Sequence, residues 1–222
     1  MKYFRIVILT TIIVALSNIA NSQIIDAYGV RVGAGLSDQY WDYKKFSELS
    51  DWKDDKLAVA VYLNAEKHLN KYFSLRPEIG YIQKGFAEDI KLTNNEGEEL
   101  RTVSDNLNLH NLSFNLALKI RAFNTKIKPY LIAGLRLDYL VSYKNFRIEV
   151  QGKKYGIYKD ILNDFNKFSL SGLVGIGCEF DELMYLDFEI NPAITKNLDN
   201  DAIAITDRYI GLTLGININK LI

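Results

Sequence analysis

The 222 residues carry 27 Lys and Arg against 27 Asp and Glu, so the formal net charge is zero, and 48% of the chain is hydrophobic. That balance excludes the basic field with which a non-specific nucleic-acid binder neutralises phosphates, so no nucleic-acid partner is expected. One cysteine, Cys178, and two histidines exclude an intrachain disulfide and a Cys- or His-rich metal site, and neither a metal nor a cofactor is expected.

Lys2 and Arg5 precede an apolar run from Ile6 to Leu16, and Ala20-Asn21-Ser22 follows with small residues at the positions a signal peptidase reads. The run is shorter than the ~20 residues of a spanning helix, and the pattern is that of a secretory signal. Residues 1–22 are therefore read as a signal peptide and 23–222 as one β-barrel domain. No later stretch approaches ~20 consecutive apolar residues, so the exported chain is either a soluble envelope protein or a membrane β-barrel.

Strict alternation then recurs along the chain, the period-two signature of strands with one apolar and one polar face. The first strand sets Tyr28, Val30, Val32, Ala34 and Leu36 against Gly29, Arg31, Gly33 and Gly35. The second sets Leu57, Val59, Val61 and Leu63 against Ala58, Ala60, Tyr62, Asn64 and Glu66. The third, from Tyr72 to Phe86, sets Phe73, Leu75, Pro77, Ile79 and Tyr81 against Arg76, Glu78, Gly80 and Lys84; Pro77 is awkward there, because it removes a ladder donor. Leu112 to Ala122 gives the clearest pattern, with Leu112, Phe114, Leu116, Leu118 and Ile120 opposite Ser113, Asn115, Lys119 and Arg121. The fifth strand places Leu131, Ala133, Leu135, Leu137, Tyr139 and Val141 opposite Gly134, Arg136 and Asp138. Three more follow, at Phe168 to Phe180 with Glu179 on its polar face, around Met184 to Ile190 with Asp187 and Glu189, and at Tyr209 to Ile218.

Each strand is near the ~10 residues of a tilted transmembrane strand. Long polar connections (37–56, 87–108, 144–167 and 195–207) alternate with short ones, as in an up-and-down barrel with turns at one rim and loops at the other. The expected fold is all-β: an eight-stranded antiparallel up-and-down transmembrane β-barrel.

A soluble lipid-binding barrel shows the same alternation with its faces exchanged. The polar face decides between them, because it is rich in Gly, Ala and Ser and its charges balance. Arg31, Arg76, Lys84, Lys119, Arg121 and Arg136 stand against Glu66, Glu78, Asp138, Glu179, Asp187 and Glu189. Buried charges must be paired, so these twelve are expected as an ion-pair network filling a narrow lumen. Tyr28, Phe73, Tyr139, Tyr143, Phe168 and Phe180 fall near strand ends, where membrane girdles collect aromatics.

Tyr28-Gly29-Val30-Arg31-Val32-Gly33, Leu75-Arg76-Pro77-Glu78-Ile79-Gly80-Tyr81-Ile82-Gln83-Lys84-Gly85-Phe86, Lys128-Pro129-Tyr130-Leu131-Ile132-Ala133-Gly134 and Gly175-Ile176-Gly177-Cys178-Glu179-Phe180 resemble the PorT-like family of outer-membrane β-barrel proteins. The segment from Leu75 to Phe86 is the most specific, and it accounts for Pro77. The resemblance implies an integral outer-membrane barrel without shared catalytic residues, some relatives taking part in secretion or surface attachment. Many such barrels end on an aromatic residue, whereas this chain ends Asn219-Lys220-Leu221-Ile222.

Candidate chemistry is sparse. His110 shares the parity of Leu112 and lies near the loop rim, but Ser113 points to the opposite face, so the Ser–His pair of a lipid-modifying barrel enzyme is not expected. His68 is read as a solvated turn residue. The acidic stretch Asn94 to Glu99 lacks the ligand spacing of a calcium loop. Trp41, Trp52, Tyr40, Tyr43, Phe46 and Tyr155 in the outer loops either form a partner surface or pack the loops together. The expected role is structural or interaction-based, with no enzymatic activity, and the expected contacts are outer-membrane lipid and a protein partner of the extracellular loops. The rivals are a soluble envelope lipid-binding barrel and a lipid-modifying barrel enzyme.

Overall fold

The computed structural model describes residues 25–93, 96, 98–123, 126–150 and 153–220; the signal peptide read at 1–22 lies outside them, as do Asn94, Asn95 and Gly97 of the acidic stretch. Eight long strands dominate: β1 (Ala27–Tyr43), β2 (Lys56–His68), β3 (Phe73–Thr93), β4 (Glu99–Arg121), β5 (Ile127–Lys144), β6 (Phe168–Phe180), β7 (Met184–Pro192) and β8 (Ile203–Asn217). Each pairs antiparallel with the next, and β8 pairs antiparallel with β1 from Gly29↔Asn217 to Tyr43↔Ile203, so the sheet closes into a barrel without a free seam.

The first and last of the described residues lie at the short-turn rim. The Asn219 side chain donates to the carbonyl of Asp26 at 3.0 Å and accepts from the Tyr28 N–H at 3.1 Å. Asp26 in turn accepts from the His68 N–H at the β2–β3 turn, and Lys220 reaches Glu182 in the β6–β7 turn at 3.2 Å.

In the lower section of the strands most large apolar residues face out, with Ile82, Ile132 and Leu173 buried inside as exceptions. Leu116, Leu135 and Leu214 are 44%, 51% and 41% exposed on the outer surface, whereas Arg31, Arg76 and Arg136 are fully buried inside. A soluble lipid-binding barrel needs the reverse arrangement, with an apolar lumen. Pro77 sits outward on β3, and its effect is local. The β2–β3 ladder is interrupted opposite Pro77 and Arg76, between Asn64↔Glu78 and Lys67↔Leu75, while the β3–β4 ladder runs through Pro77↔Leu116 unbroken.

The long connections differ from the sequence expectation. β1 continues to Tyr43, β3 to Thr93, and β4 begins at Glu99, so much of what reads as loop is strand. The cause is an inversion of polarity within single strands. Above the lipid-facing band the outward positions of β4 become Asn108, Asn106, Ser104 and Thr102, while its inward positions become Leu109 and Leu107, both buried. The same exchange puts Trp41 of β1, Phe86 of β3 and Ile203 and Ile205 of β8 inside. The outer surface has left lipid for water there, and the inner surface is the core of a small water-soluble layer.

That layer is completed by the β5–β6 connection, which carries a short strand pair (Arg147–Val150 with Lys153–Gly156) and α1 (Lys159–Asn163). Leu162 and Phe165 pack with Trp41, Phe86, Leu107, Leu109, Leu140, Leu198, Ile203 and Ile205 into one apolar cap across the loop-side mouth. Tyr143, expected in a membrane girdle, packs against this cap instead. A bulge explains it: His110 pairs with Ser142 and Asn111 with Leu140, so Val141 is an extra residue and Tyr143 turns inward.

Candidate functional site: a charge-packed lumen beneath an apolar cap

Alternation places every second residue of eight strands in the lumen, and the twelve charges singled out in the sequence fall there in three groups. At the turn end, Lys119 Nζ lies 2.8 Å from both Glu66 and Glu179. Arg121 binds Glu66, reaches Glu179 at 3.2 Å and donates to the Ser74 hydroxyl.

The middle group is centred on Arg31, which meets Glu78 at 2.6 Å, Glu189 at 2.7 Å and Asp187 at 3.3 Å. Arg76 meets Asp187 at 2.8 Å, and its Nε lies 3.0 Å from Glu78, a charge contact without hydrogen-bond geometry. Arg136 stands 3.6 Å from Glu189 and donates to Asn115 and Asn191. At the loop end Lys84 meets Asp138 at 2.6 Å and Asp207 at 3.6 Å. Asp207 accepts from Gln39, which accepts from the Trp41 indole, so the ion pairs connect by hydrogen bonds to the cap.

By the same parity, Tyr62 falls with the polar face of the second strand, Tyr185 with Asp187 and Glu189, and Tyr209 with Gly211 and Gly215, a placement that by itself assigns them no role. The structure uses them, with Tyr130, as plates between the cations. Arg31 lies 4.8 Å over Tyr62, Arg136 5.4 Å over Tyr209, Arg76 5.2 Å over Tyr185 and Lys119 4.3 Å over Tyr130. Small residues opposite make room. A Cβ at Gly215 would sit 2.0 Å from Tyr185 Cζ, and one at Gly177 2.3 Å from the Tyr130 ring. The signal for these rings was therefore present, as large and minimal residues sharing one parity.

In a narrow barrel such ion pairs resist displacement because breaking one strands a buried charge, even though several of their atoms, Arg76 Nη1 and Arg121 Nε among them, have no hydrogen-bond partner.

The histidines do not build a second centre. His110 Nδ1 lies 2.6 Å from Tyr81 Oη on the outer surface, while Ser113 points inward and donates to Asn115 at 3.2 Å, so no Ser–His pair forms there. His68 differs from the expected solvated turn residue, because it ends β2 and its Nδ1 lies 2.8 Å from Ser74 Oγ and 3.4 Å from Glu66. Both contacts use one ring nitrogen, so Glu66 does not orient His68 against Ser74 as a hydrolase triad would.

The loop aromatics divide. Trp41 packs edge-on against Phe86 and Tyr158 within the cap, with Tyr43 against it, whereas Trp52 is half exposed, 5.1 Å from Tyr40 and beneath Arg208 at 4.3 Å. Phe46 is exposed, and the side chain of Tyr155 lies outside the described residues. Outside the membrane section, Tyr158 donates to Glu88, and burial together with that carboxylate pushes its phenol up. The Lys128 ammonium, with Lys220, holds Glu182 down to about 2.

Three comparisons bear on this arrangement. No curated protein matches the sequence. Among solved structures, the chain is similar to Ail, the attachment invasion locus protein of Yersinia pestis, with 10% identity, 86% of this chain and 100% of that one covered, and a TM-score of 0.38. It is also similar to Neisserial surface protein A, with 14% identity, 85% and 97% covered and a TM-score of 0.40. A third is outer membrane protein W of E. coli, with 10% identity, 86% and 98% covered and a TM-score of 0.39. A family model described as outer membrane protein β-barrel domain matches residues 21–199, and the chain belongs to that family.

Proposed function

We propose that this protein is a non-conducting, non-enzymatic outer-membrane barrel of the PorT-like kind, a rigid mount that presents its outer connections to a protein partner in secretion or surface attachment. The observation that carries the reading is the double closure of the lumen, by three groups of ion pairs and by the apolar cap above them. A pore would spend neither. The resemblance from Leu75 to Phe86 supports the PorT-like placement, with Arg76 and Glu78 of that segment in the middle of the network. Residues 1–22 are the export signal in this reading.

The test is reconstitution of the refolded chain into planar bilayers. No conductance above the bilayer baseline is expected, and stable single-channel steps would overturn the closed lumen. Expression with and without residues 1–22, followed by fractionation, tests export: the full chain is expected in the outer membrane as a heat-modifiable band, and the truncated chain is not.

A further inference from the structure

The outward face of β4 records where lipid ends. Leu116, Phe114 and Leu112 are apolar and exposed, Asn108 and Asn106 are polar, and His110 stands between them. β3 changes at the same level, from Ile79 and Tyr81 to Gln83. This transition marks the upper edge of the apolar band, ~25 Å tall in such barrels, and so the headgroup level of the outer leaflet.

At that level the outer wall is not smooth. The extra residue Val141 parts β5 from β4, and a groove of about 370 Å³ opens between Tyr81, His110, Asn111, Leu112, Val141 and Ser142. Its floor is apolar, with Leu112 and Val141 exposed to the bilayer side. Its wall is a hydrogen-bonded ring pair: Tyr81 Oη lies 2.6 Å from His110 Nδ1, with the rings stacked at 24° and their centroids 6.1 Å apart. When the tyrosine hydroxyl donates to Nδ1, the imidazole keeps its proton on Nε2, and the other side of the ring is a donor. The Ser142 hydroxyl adds a second donor on the groove itself. Lys144, two residues on, supplies a half-exposed cation, and the carboxylate nearest to it, Asp105, already faces that lysine at 3.6 Å. Among the described residues, no carboxylate lines the groove.

We infer that this groove is a binding site for the phosphorylated headgroup of an outer-leaflet lipid. An anionic oxygen takes the hydrogen bonds of His110 Nε2–H and Ser142, Lys144 supplies the opposite charge, and the first acyl segment lies over Leu112 and Val141. The groove opens onto the lipid-facing band, and that continuity selects a lipid over a soluble anion. The site rests on the lipid-facing assignment of the outer surface and is independent of whether the lumen conducts.

The full chain, refolded into phosphatidylcholine nanodiscs doped with either diphosphorylated lipid A or its dephosphorylated counterpart, tests it by the number of lipid A molecules retained in native mass spectrometry. Wild-type protein is expected to retain the phosphorylated form at least fivefold over the other. His110→Phe is expected to lose that preference while its band stays heat-modifiable. Val141→Trp, which fills the groove and leaves the Tyr81–His110 pair in place, is expected to lose it as well. Equal retention of both lipids by wild type, or an undiminished preference in both variants, would overturn the site while leaving the closed-lumen reading untouched.

Discussion

Arg31 and Glu78, 47 positions apart in sequence, meet at 2.6 Å in the middle of the lumen with both side chains fully buried. Glu78 also accepts from Asn115 at 2.7 Å and faces Arg76, so its charge answers two guanidinium groups. Substituting Glu78→Gln removes the charge and leaves both cations in a low-dielectric interior. The expected loss is ~3–5 kcal/mol, the usual cost of breaking a buried pair from one side. Urea titration of the refolded barrel, followed by band shift, measures it; a loss below about 1 kcal/mol would mean that the lumen is well hydrated.

The tyrosine plates give a steric prediction. Gly215→Ala puts a methyl group where Tyr185 Cζ already lies, 2.0 Å away, and the ring is held by its hydrogen bond to Asn64. The expected cost is ~1–3 kcal/mol from overpacking. In a Tyr185→Ala background the same substitution is expected to cost markedly less, and additive effects in the double-mutant cycle would show that the two residues do not share the space.

The two tryptophans separate the cap from the outer surface. Trp41 is 1% exposed and Trp52 50%. Protein keeping only Trp41, made by Trp52→Phe, is expected to emit further to the blue and to resist acrylamide more than protein keeping only Trp52. Trp41→Ala is expected to cost ~3–5 kcal/mol through the cavity it leaves in the cap. Similar quenching of both single-tryptophan proteins would mean that the mouth is open.

Glu182 gives a pH prediction at the turn rim. Lys128, then Lys220, hold its pKa down to about 2, below the usual carboxylate value. For a depressed folded pKa the stabilising contribution is complete above the unfolded pKa and disappears as pH falls through the folded one. The contribution is therefore present at neutral pH, declines below the ordinary carboxylate range and is gone once Glu182 itself protonates near pH 2. Carbon-13 NMR titration of the side chain reads the value directly, and Lys128→Met is expected to move it upward; an unchanged midpoint would remove Lys128 as the cause.

The barrel and its lumen charges were legible because a bilayer imposes one rule on every strand: apolar out, polar in. The period of two delivers Arg31, Glu78 and Arg136 to one face without any knowledge of their partners. The rule stops at the headgroups, and so did the reading. Beyond Leu112 the same strand carries Asn108 outside and Leu107 inside, and a chain whose polarity reverses reads as a loop until a partner strand fixes its register. The cap was illegible for a second reason. It gathers Trp41, Phe86, Leu162 and Ile205 from four separate parts of the chain, and no local pattern announces such a meeting. Tyr143 was misplaced by a single inserted residue, which reverses facing without altering composition.

The closing seam has a consequence for how the protein comes into being. The Tyr28 N–H is satisfied by Asn219, 191 residues away, and the whole of β1 waits for β8 as its second neighbour. Local hairpins can form early, but the ring cannot be sealed until β8 is available to pair with β1. Until then the molecule is a sheet with two bare margins and a greasy outer surface, the form most prone to clumping in water. Pairing of β8 with β1 removes both margins in a single step, so the protection of the edges is all or nothing.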